Sequence, residues 1–551
     1  MITKQHIFCL LMCLLTVFAV SGQTGIDKEI VVIKPYQPTL SDAFKINVLP
    51  GVSDTLQVRP EFHYVIRPEK YETGFEVKPI KAASLVAQPP EKLYKGYLKL
   101  GMGNHLMPLA ELNISSLYSN KSIYGIELRH NSINGKIRLS DDVHIKPGLN
   151  ENALKLSGSR IFDNSRLSGA LSAGYHGINY YGIDPEVDSL PDYKDIRQNF
   201  LRAGGEVCWE SLNKRTEVFN YRTTAGYSFV QDKFSNYQHE IEILADFNRF
   251  IKGQMFGLDA GWTQLISSPS VDSSGLSVLR LAPWISKRTD EYNYLLGARL
   301  AVEIDDEGPT MHIYPRAKFQ INVVDGVLMP YLVLDGYLKE NNYAVLSREN
   351  PYILPGLNLK STSNKVTFMG GLAGSLTTKL SYDINGSYTL ADDLYFYVND
   401  TASVYGNRFD ALLDDGEKIQ VHGEISYRTS EKLWFYLSQN YYRYELENLE
   451  HPWHKQQYDL TFSVRYNLKD KILADLDIFY LGDRYARNFD PDGEPYLIDG
   501  TLDMNIGLEY RYTKALSVFL RLNHLMGSEQ FLYYQYPTMR FNFLAGFTYS
   551  L

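Results

Sequence analysis

Three kinds of residue pattern are scarce in this 551-residue chain, and each scarcity narrows what it can be. Cysteine occurs 3 times, and Cys9 and Cys13 fall in an N-terminal apolar stretch, leaving Cys208 alone beyond it. A lone thiol forms no internal disulfide and no cysteine-based metal site, so Cys208 reads as a small strand residue. After residue 22 no apolar run approaches the ~20 residues a membrane helix needs. Excess basic charge is also missing: the formal net charge is -9, which argues against a nucleic-acid partner. No Gly-x-Ser-x-Gly elbow or other catalytic constellation stands out, so the chain reads as a non-enzyme that needs no cofactor. His451 and His454 flank Pro452-Trp453 and read as residues of a solvated loop, since two histidines alone do not make a metal site. Asp490-Pro491-Asp492-Gly493-Glu494 lacks the remainder of a calcium loop and reads as a turn.

What is present begins with an export signal. Lys4, the apolar stretch Ile7–Val20 and the small residues Val20-Ser21-Gly22 form a secretory leader over residues 1–22, with a cut before Gln23. An exported chain without a membrane helix is either soluble outside the inner membrane or a β-barrel in the outer membrane of a Gram-negative envelope.

Period-two alternation decides between them. Leu502, Met504, Ile506, Leu508, Tyr510 and Tyr512 alternate with Asp503, Asn505, Gly507, Glu509 and Arg511. Tyr458, Leu460, Phe462, Val464 and Tyr466 alternate with Asp459, Thr461, Ser463 and Arg465, and Ile472 to Tyr480 interleave with Asp475 and Asp477. Leu516 to Leu522 alternate with Ser517, Arg521 and Asn523. A strand sends alternate side chains to opposite faces, so one face suits hydrocarbon while the other carries charge. The segments run for about ten residues, the length that crosses a bilayer as a tilted strand. Asp459, Arg465, Asp475, Asp477, Asp503, Glu509, Arg511 and Arg521 are then expected to face the lumen. Tyrosine pairs such as Tyr180-Tyr181 and Tyr533-Tyr534, and the run Tyr441-Tyr442-Arg443-Tyr444, suit the aromatic girdles at the membrane interfaces.

Short polar turns near residues 120, 163, 213, 252, 289, 325, 378, 430, 469 and 513 recur at roughly the spacing of one strand out, one loop and one strand back. Ten turns separate eleven strand pairs. The expected fold is all-β: a transmembrane antiparallel barrel of about 22 strands, within a range of about 18–24, spanning residues 93–551. The longer connections, Ile183–Asp195, Asn341–Lys365, Asn399–Lys418, Leu446–Lys455 and Asp483–Ile498, are expected outside the cell. Residues 23–92 carry eight prolines and read as an extended arm, periplasmic or tucked into the lumen.

Phe541, Phe543, Ala545, Phe547, Tyr549 and Leu551 form one apolar face against Arg540, Asn542, Thr548 and Ser550. This strand resembles the C-terminal assembly signal of outer-membrane proteins, with Phe547, Tyr549 and Leu551 read by the barrel-assembly machinery. Near the mature N-terminus, Lys28-Glu29-Ile30-Val31-Val32-Ile33 resembles a TonB box. With the strand count, this makes the chain similar to the TonB-dependent receptors. The resemblance implies that Glu29, Ile30, Val31, Val32 and Ile33 would pair as an added strand with the energy-transducing protein TonB. That family's plug domain is about twice as long as residues 23–92, so the resemblance is to a receptor with a reduced or absent plug. The function it implies is uptake or capture of an unspecified solute at the cell surface, in contact with outer-membrane lipid. The alternative is a structural or accessory barrel that holds another periplasmic or surface protein, with the arm as its docking element.

Overall fold

The computed structural model describes residues 94–551, apart from 117–118, 120, 140–142, 184–190, 213–217, 272–274, 358–359, 402, 404, 431 and 491. The leader, the arm and the TonB-box-like segment lie outside the described residues.

Twenty-two antiparallel strands form one sheet, each paired with its successor in the chain. The first, Gly96–Gly103, closes on the last, Asn542–Ser550, through seven register pairs from Tyr97↔Ser550 to Gly103↔Leu544. Leu551 extends the seam: its N–H donates to the Gly96 carbonyl at 2.7 Å, and its carbonyl accepts from Lys95 N at 2.8 Å. Closure leaves no free sheet edge, which is the condition for a sheet to cross hydrocarbon.

The alternation read in the sequence is the two-faced burial of these strands. In Thr501–Arg511, Leu502, Leu508 and Tyr510 are exposed, while Thr501, Asp503, Asn505 and Gly507 are buried. In the last strand Phe543, Phe547 and Tyr549 are exposed between buried Asn542 and Thr548. Apolar residues on the outside and polar ones inside is the reverse of a soluble sheet, and it matches a barrel wetted by lipid.

Ten connections lie at the end that carries the first and last strand termini, and all ten turn sites read from the sequence fall in them. Lys252 and Gly253 form a two-residue hairpin with both φ positive, 50° and 82°. Glycine takes that conformation freely and so fits the tight right-twisted turn. Most connections at the opposite end are longer, and several carry their own structure. They hold the short hairpins Ile137–Arg138/His144–Ile145, Arg484–Ala486/Tyr496–Ile498 and Phe531–Tyr533/Tyr536–Pro537, and the helices Tyr193–Ile196 and Tyr343–Glu349.

Two of the expected loops are shorter than the sequence suggested. Asn399–Lys418 reduces to residues 400–408, because Leu380–Asn399 and Phe409–Ser430 pair without a break from Asn399↔Phe409 to Leu394↔Asp414. The acidic residues that looked loop-like are held in place: Asp414 accepts from the backbone N–H groups of Asn448 and Leu449, at 2.9 and 2.8 Å. Asn341–Lys365 ends earlier for the same reason, since a strand begins at Thr362. One ladder is short. Gly308–Ile321 joins Met329–Lys339 through five register pairs, from Gln320↔Tyr331 to Arg316↔Asp335. The ladder stops at Pro315, which has no N–H to give.

Candidate functional site: a roof over one mouth of the barrel

The long connections opposite the termini do not stand apart. Tyr180 and Tyr181, after the fifth barrel strand, and Tyr352, after the thirteenth, join Tyr533 and Tyr536, after the twenty-first, in one buried cluster. Those anchoring points are eight, eight and six strands apart around the closed barrel. The rings nevertheless touch: Tyr181–Tyr536 centroids are 4.9 Å apart, Tyr181–Tyr352 5.9 Å and Tyr352–Tyr536 3.9 Å. A barrel of this strand number has a wide mouth. Loops rooted so far apart can meet only by crossing it, so the three tyrosines sit at the centre of a roof.

The roof holds together as a small core does. Tyr343, Leu346, Phe409 and Tyr536 are fully buried, with Ile145, Ile183 and Ile353 nearly so. Each aromatic pair adds about 0.5–1.5 kcal/mol beyond area burial. Directed polar contacts fix the register between loops. Tyr181 Oη donates to the Pro537 carbonyl at 3.0 Å, and Asn407 Nδ2 donates to the Tyr180 carbonyl at 2.7 Å. The Tyr536 hydroxyl donates in turn to the Asn407 carbonyl. Arg484 donates to the carbonyls of Leu532 and Phe531, at 2.9 and 2.5 Å. Gly182 is where the packing requires a glycine, because a Cβ there would land on the Tyr536 ring.

The helix Tyr343–Glu349 braces the roof against the wall. Asn342 caps it, its side chain accepting from Val345 N at 2.8 Å. Tyr343 Oη donates to Asp232 at 3.0 Å. Arg202 donates to the Ala344 carbonyl and to Ser347 Oγ, both at 2.9 Å. At the helix's far end Glu349 accepts from Tyr395 Oη at 2.5 Å and lies 3.5 Å from Lys455 Nζ. Burial pushes the Glu349 carboxyl up, but Lys455, the Tyr395 hydroxyl and Lys339 outweigh it and hold it below the ordinary range. His454 is sealed in: Nδ1 donates to the Tyr397 carbonyl at 2.8 Å and Nε2 accepts from Tyr534 N at 3.4 Å. Burial pushes its pKa down to about 3, with Arg484 and Lys455 adding to the effect.

Two sequence expectations are therefore corrected. His454 is not a solvated loop residue, because the roof folds over it. Tyr180, Tyr181 and Tyr533 do not belong to an interface girdle; they are buried in the roof, where each hydroxyl finds a partner. No local signal in the sequence marks this, since the partners come from loops far apart in the chain. Asp490 does form a turn, its carbonyl accepting from Gly493 N at 3.0 Å. Cys208 lies half-buried in the strand Arg197–Ser211.

Of the eight expected lumenal charges, five form two groups, while Asp459, Asp503 and Arg511 stand apart from them. Arg465 holds Asp477 in a two-pronged pair at 2.9 and 3.1 Å, and Asp475 lies in the field of Arg465 and Arg521. Glu509 and Arg521 share a patch with Lys99 and Glu111. Asp503 is fully buried near the roofed end, accepting from His524 Nδ1 at 2.6 Å and Gln530 Nε2 at 2.5 Å. Asp459 accepts from Asn440 at 2.8 Å. Arg511 sits by a turn at the terminal end, its N–H donating to the Lys471 carbonyl at 2.8 Å. Phe547, Tyr549 and Leu551 are exposed on the outer face of the closing strand.

Solved structures share this architecture. The siderophore receptor PirA from Acinetobacter baumannii superposes with a TM-score of 0.64 at 10% identity, over 83% of this chain and 80% of that one. The FrpB iron transporter from Neisseria meningitidis gives 0.63 at 9%, over 83% and 82%. The ferric enterobactin receptor PfeA from Pseudomonas aeruginosa gives 0.61 at 11%, over 83% and 80%. The barrel has the TonB-dependent receptor fold. No family model and no curated protein sequence matches the chain, so the likeness is one of fold. These solved neighbours are receptors and transporters.

Proposed function

We propose that the chain is an outer-membrane transporter or surface receptor of the TonB-dependent type, with the roof as its gate on the cell surface. The closed 22-strand barrel of receptor fold is the observation that carries this. Residues 23–92 supply the periplasmic element, and Glu29–Ile33 the strand that pairs with TonB. The roof excludes solute until its loops part, which gives energised opening something to act on. The test is capture of the purified chain by a TonB C-terminal domain, with and without residues 26–34. Capture that disappears on deletion is expected; capture that is absent, or indifferent to the deletion, refutes the TonB connection. The scaffold alternative gains from one feature, the dense polar locking of the roof. A barrel built to hold partner proteins needs a fixed outer surface and no opening.

A further inference from the structure

Below the roof, lysines from three separate elements gather at one wall of tyrosines. Lys339 ends the strand Met329–Lys339, Lys418 lies within Phe409–Ser430, and Lys455 lies in the connection 447–457. Lys455 Nζ is 4.9 Å from the Tyr395 ring centroid and 5.8 Å from that of Tyr397. Lys339 Nζ is 5.1 Å from the Tyr395 ring and donates to its hydroxyl at 3.4 Å. Lys418 Nζ is 4.9 Å from the Tyr442 ring and 5.9 Å from that of Tyr444, within electrostatic reach of both other lysines.

Glu349 serves Lys455, while Lys418 makes no ion pair among the described residues. The carboxylate near Tyr442, Asp459, accepts from Asn440 on one oxygen and makes no ion pair with Lys418 among the described residues. Like charges brought together out of bulk water repel strongly, and ring faces offset only part of that. A second, independent feature points the same way. Tyr397 is 2% exposed and its hydroxyl has no hydrogen-bond partner among the described residues, although buried hydroxyls are nearly always satisfied. An ammonium group without an ion pair, Lys418, beside an idle phenol donor is what an oxyanion would complete.

We propose that this layer binds an anionic solute through its phosphate or carboxylate groups, with Lys339, Lys418 and Lys455 as cationic donors and Tyr397 as a neutral one. The proposal deepens the receptor reading and rests on it for its role in uptake, but binding is a property of the purified chain. Tyr533 links the layer to the gate: its ring lies 6.1 Å from that of Tyr397, and its hydroxyl donates to the Glu349 carbonyl at 3.3 Å.

The test is calorimetric titration of the detergent-purified full chain with two probes, sodium pyrophosphate and sodium citrate. The variants are Lys418→Gln, Lys455→Gln and, as a control on an exposed turn, Lys252→Gln. Each is made both in the natural chain and with Tyr536→Ala, so that a shut roof does not hide the layer. Saturable binding of at least one probe is expected, weakening with salt, at least about tenfold weaker in Lys418→Gln and Lys455→Gln, and unchanged in Lys252→Gln. Barrel closure is checked by heat-dependent mobility in detergent gels, and should Lys418→Gln fail to close, the loop variant Lys455→Gln decides. No saturable binding of either probe in either background, or binding that the lysine variants leave within about twofold, overturns the proposal. If binding fails while TonB capture succeeds, the receptor reading survives and only the anion layer falls.

Discussion

Replacing Tyr536 by alanine should open the roof and leave the barrel closed. The side chain is fully buried, its ring meets those of Tyr181, Tyr352 and Phe409, and its hydroxyl donates to the Asn407 carbonyl. Truncating a buried aromatic in a packed core costs about 3–5 kcal/mol. Loops relax more readily than a core, so the low end applies, and about 3 kcal/mol is roughly a hundredfold shift towards the open roof. The loss does not spread to the membrane span, because Tyr536 pairs with no strand of the 22-stranded sheet. Hydrogen exchange read by mass spectrometry separates the two regions. Peptides from 180–183, 343–357 and 531–537 should exchange much faster in Tyr536→Ala, while Ile472–Leu481 stays protected. Unchanged exchange in the roof would show that the three loops do not depend on one another, and lost protection in the strands would show that the roof is part of the barrel's own stability.

Other outcomes follow from the same packing. Gly182→Ala forces a methyl group onto the Tyr536 ring and should loosen the roof by about 1–3 kcal/mol, seen in the same peptides. His454 is held neutral, far below its ordinary 6.5, so its contribution is complete above pH 6.5 and is lost as the pH falls towards 3. Glu349 is held below its ordinary 4.5, so its contribution is present above pH 4.5 and lost below it. Roof peptides should therefore loosen in two stages on acidification. His454→Gln should remove the stage that begins at pH 6.5, and an unchanged profile in that variant would refute the assignment. Along Gly308–Pro315, the amides that face away from the strand Tyr292–Asp305 should exchange at least about tenfold faster than those bonded to it, since no ladder covers that side.

The barrel was legible because its causes are local. Two-faced strands and two-residue turns leave their mark within a dozen residues, as in Thr501–Arg511 and at Lys252-Gly253, and counting them yields the strand number. The roof was not legible, because its contacts are set by distance across a mouth rather than along the chain. Tyr181 and Tyr536 are 355 positions apart, and nothing near either one names the other. Chemically ordinary residues were misplaced for the same reason. His454 looks solvated until the hairpin Phe531–Tyr533/Tyr536–Pro537 covers it, and Asp410 to Asp415 look like loop until the long strands on either side pair through them. The lysine layer is equally invisible in sequence, since Lys339, Lys418 and Lys455 come from three elements.

The barrel of receptor fold is shut at one mouth by its own loops. Single-channel conductance in planar bilayers tests it most directly, using the full chain, a chain lacking residues 23–92, Tyr536→Ala, and the two changes combined. A chain with an intact roof should stay closed, and the combined variant should conduct in long openings. If the chain lacking residues 23–92 conducts freely with its roof intact, the roof is no barrier. If the combined variant never conducts, the lumen is blocked elsewhere, and the roof is not the gate.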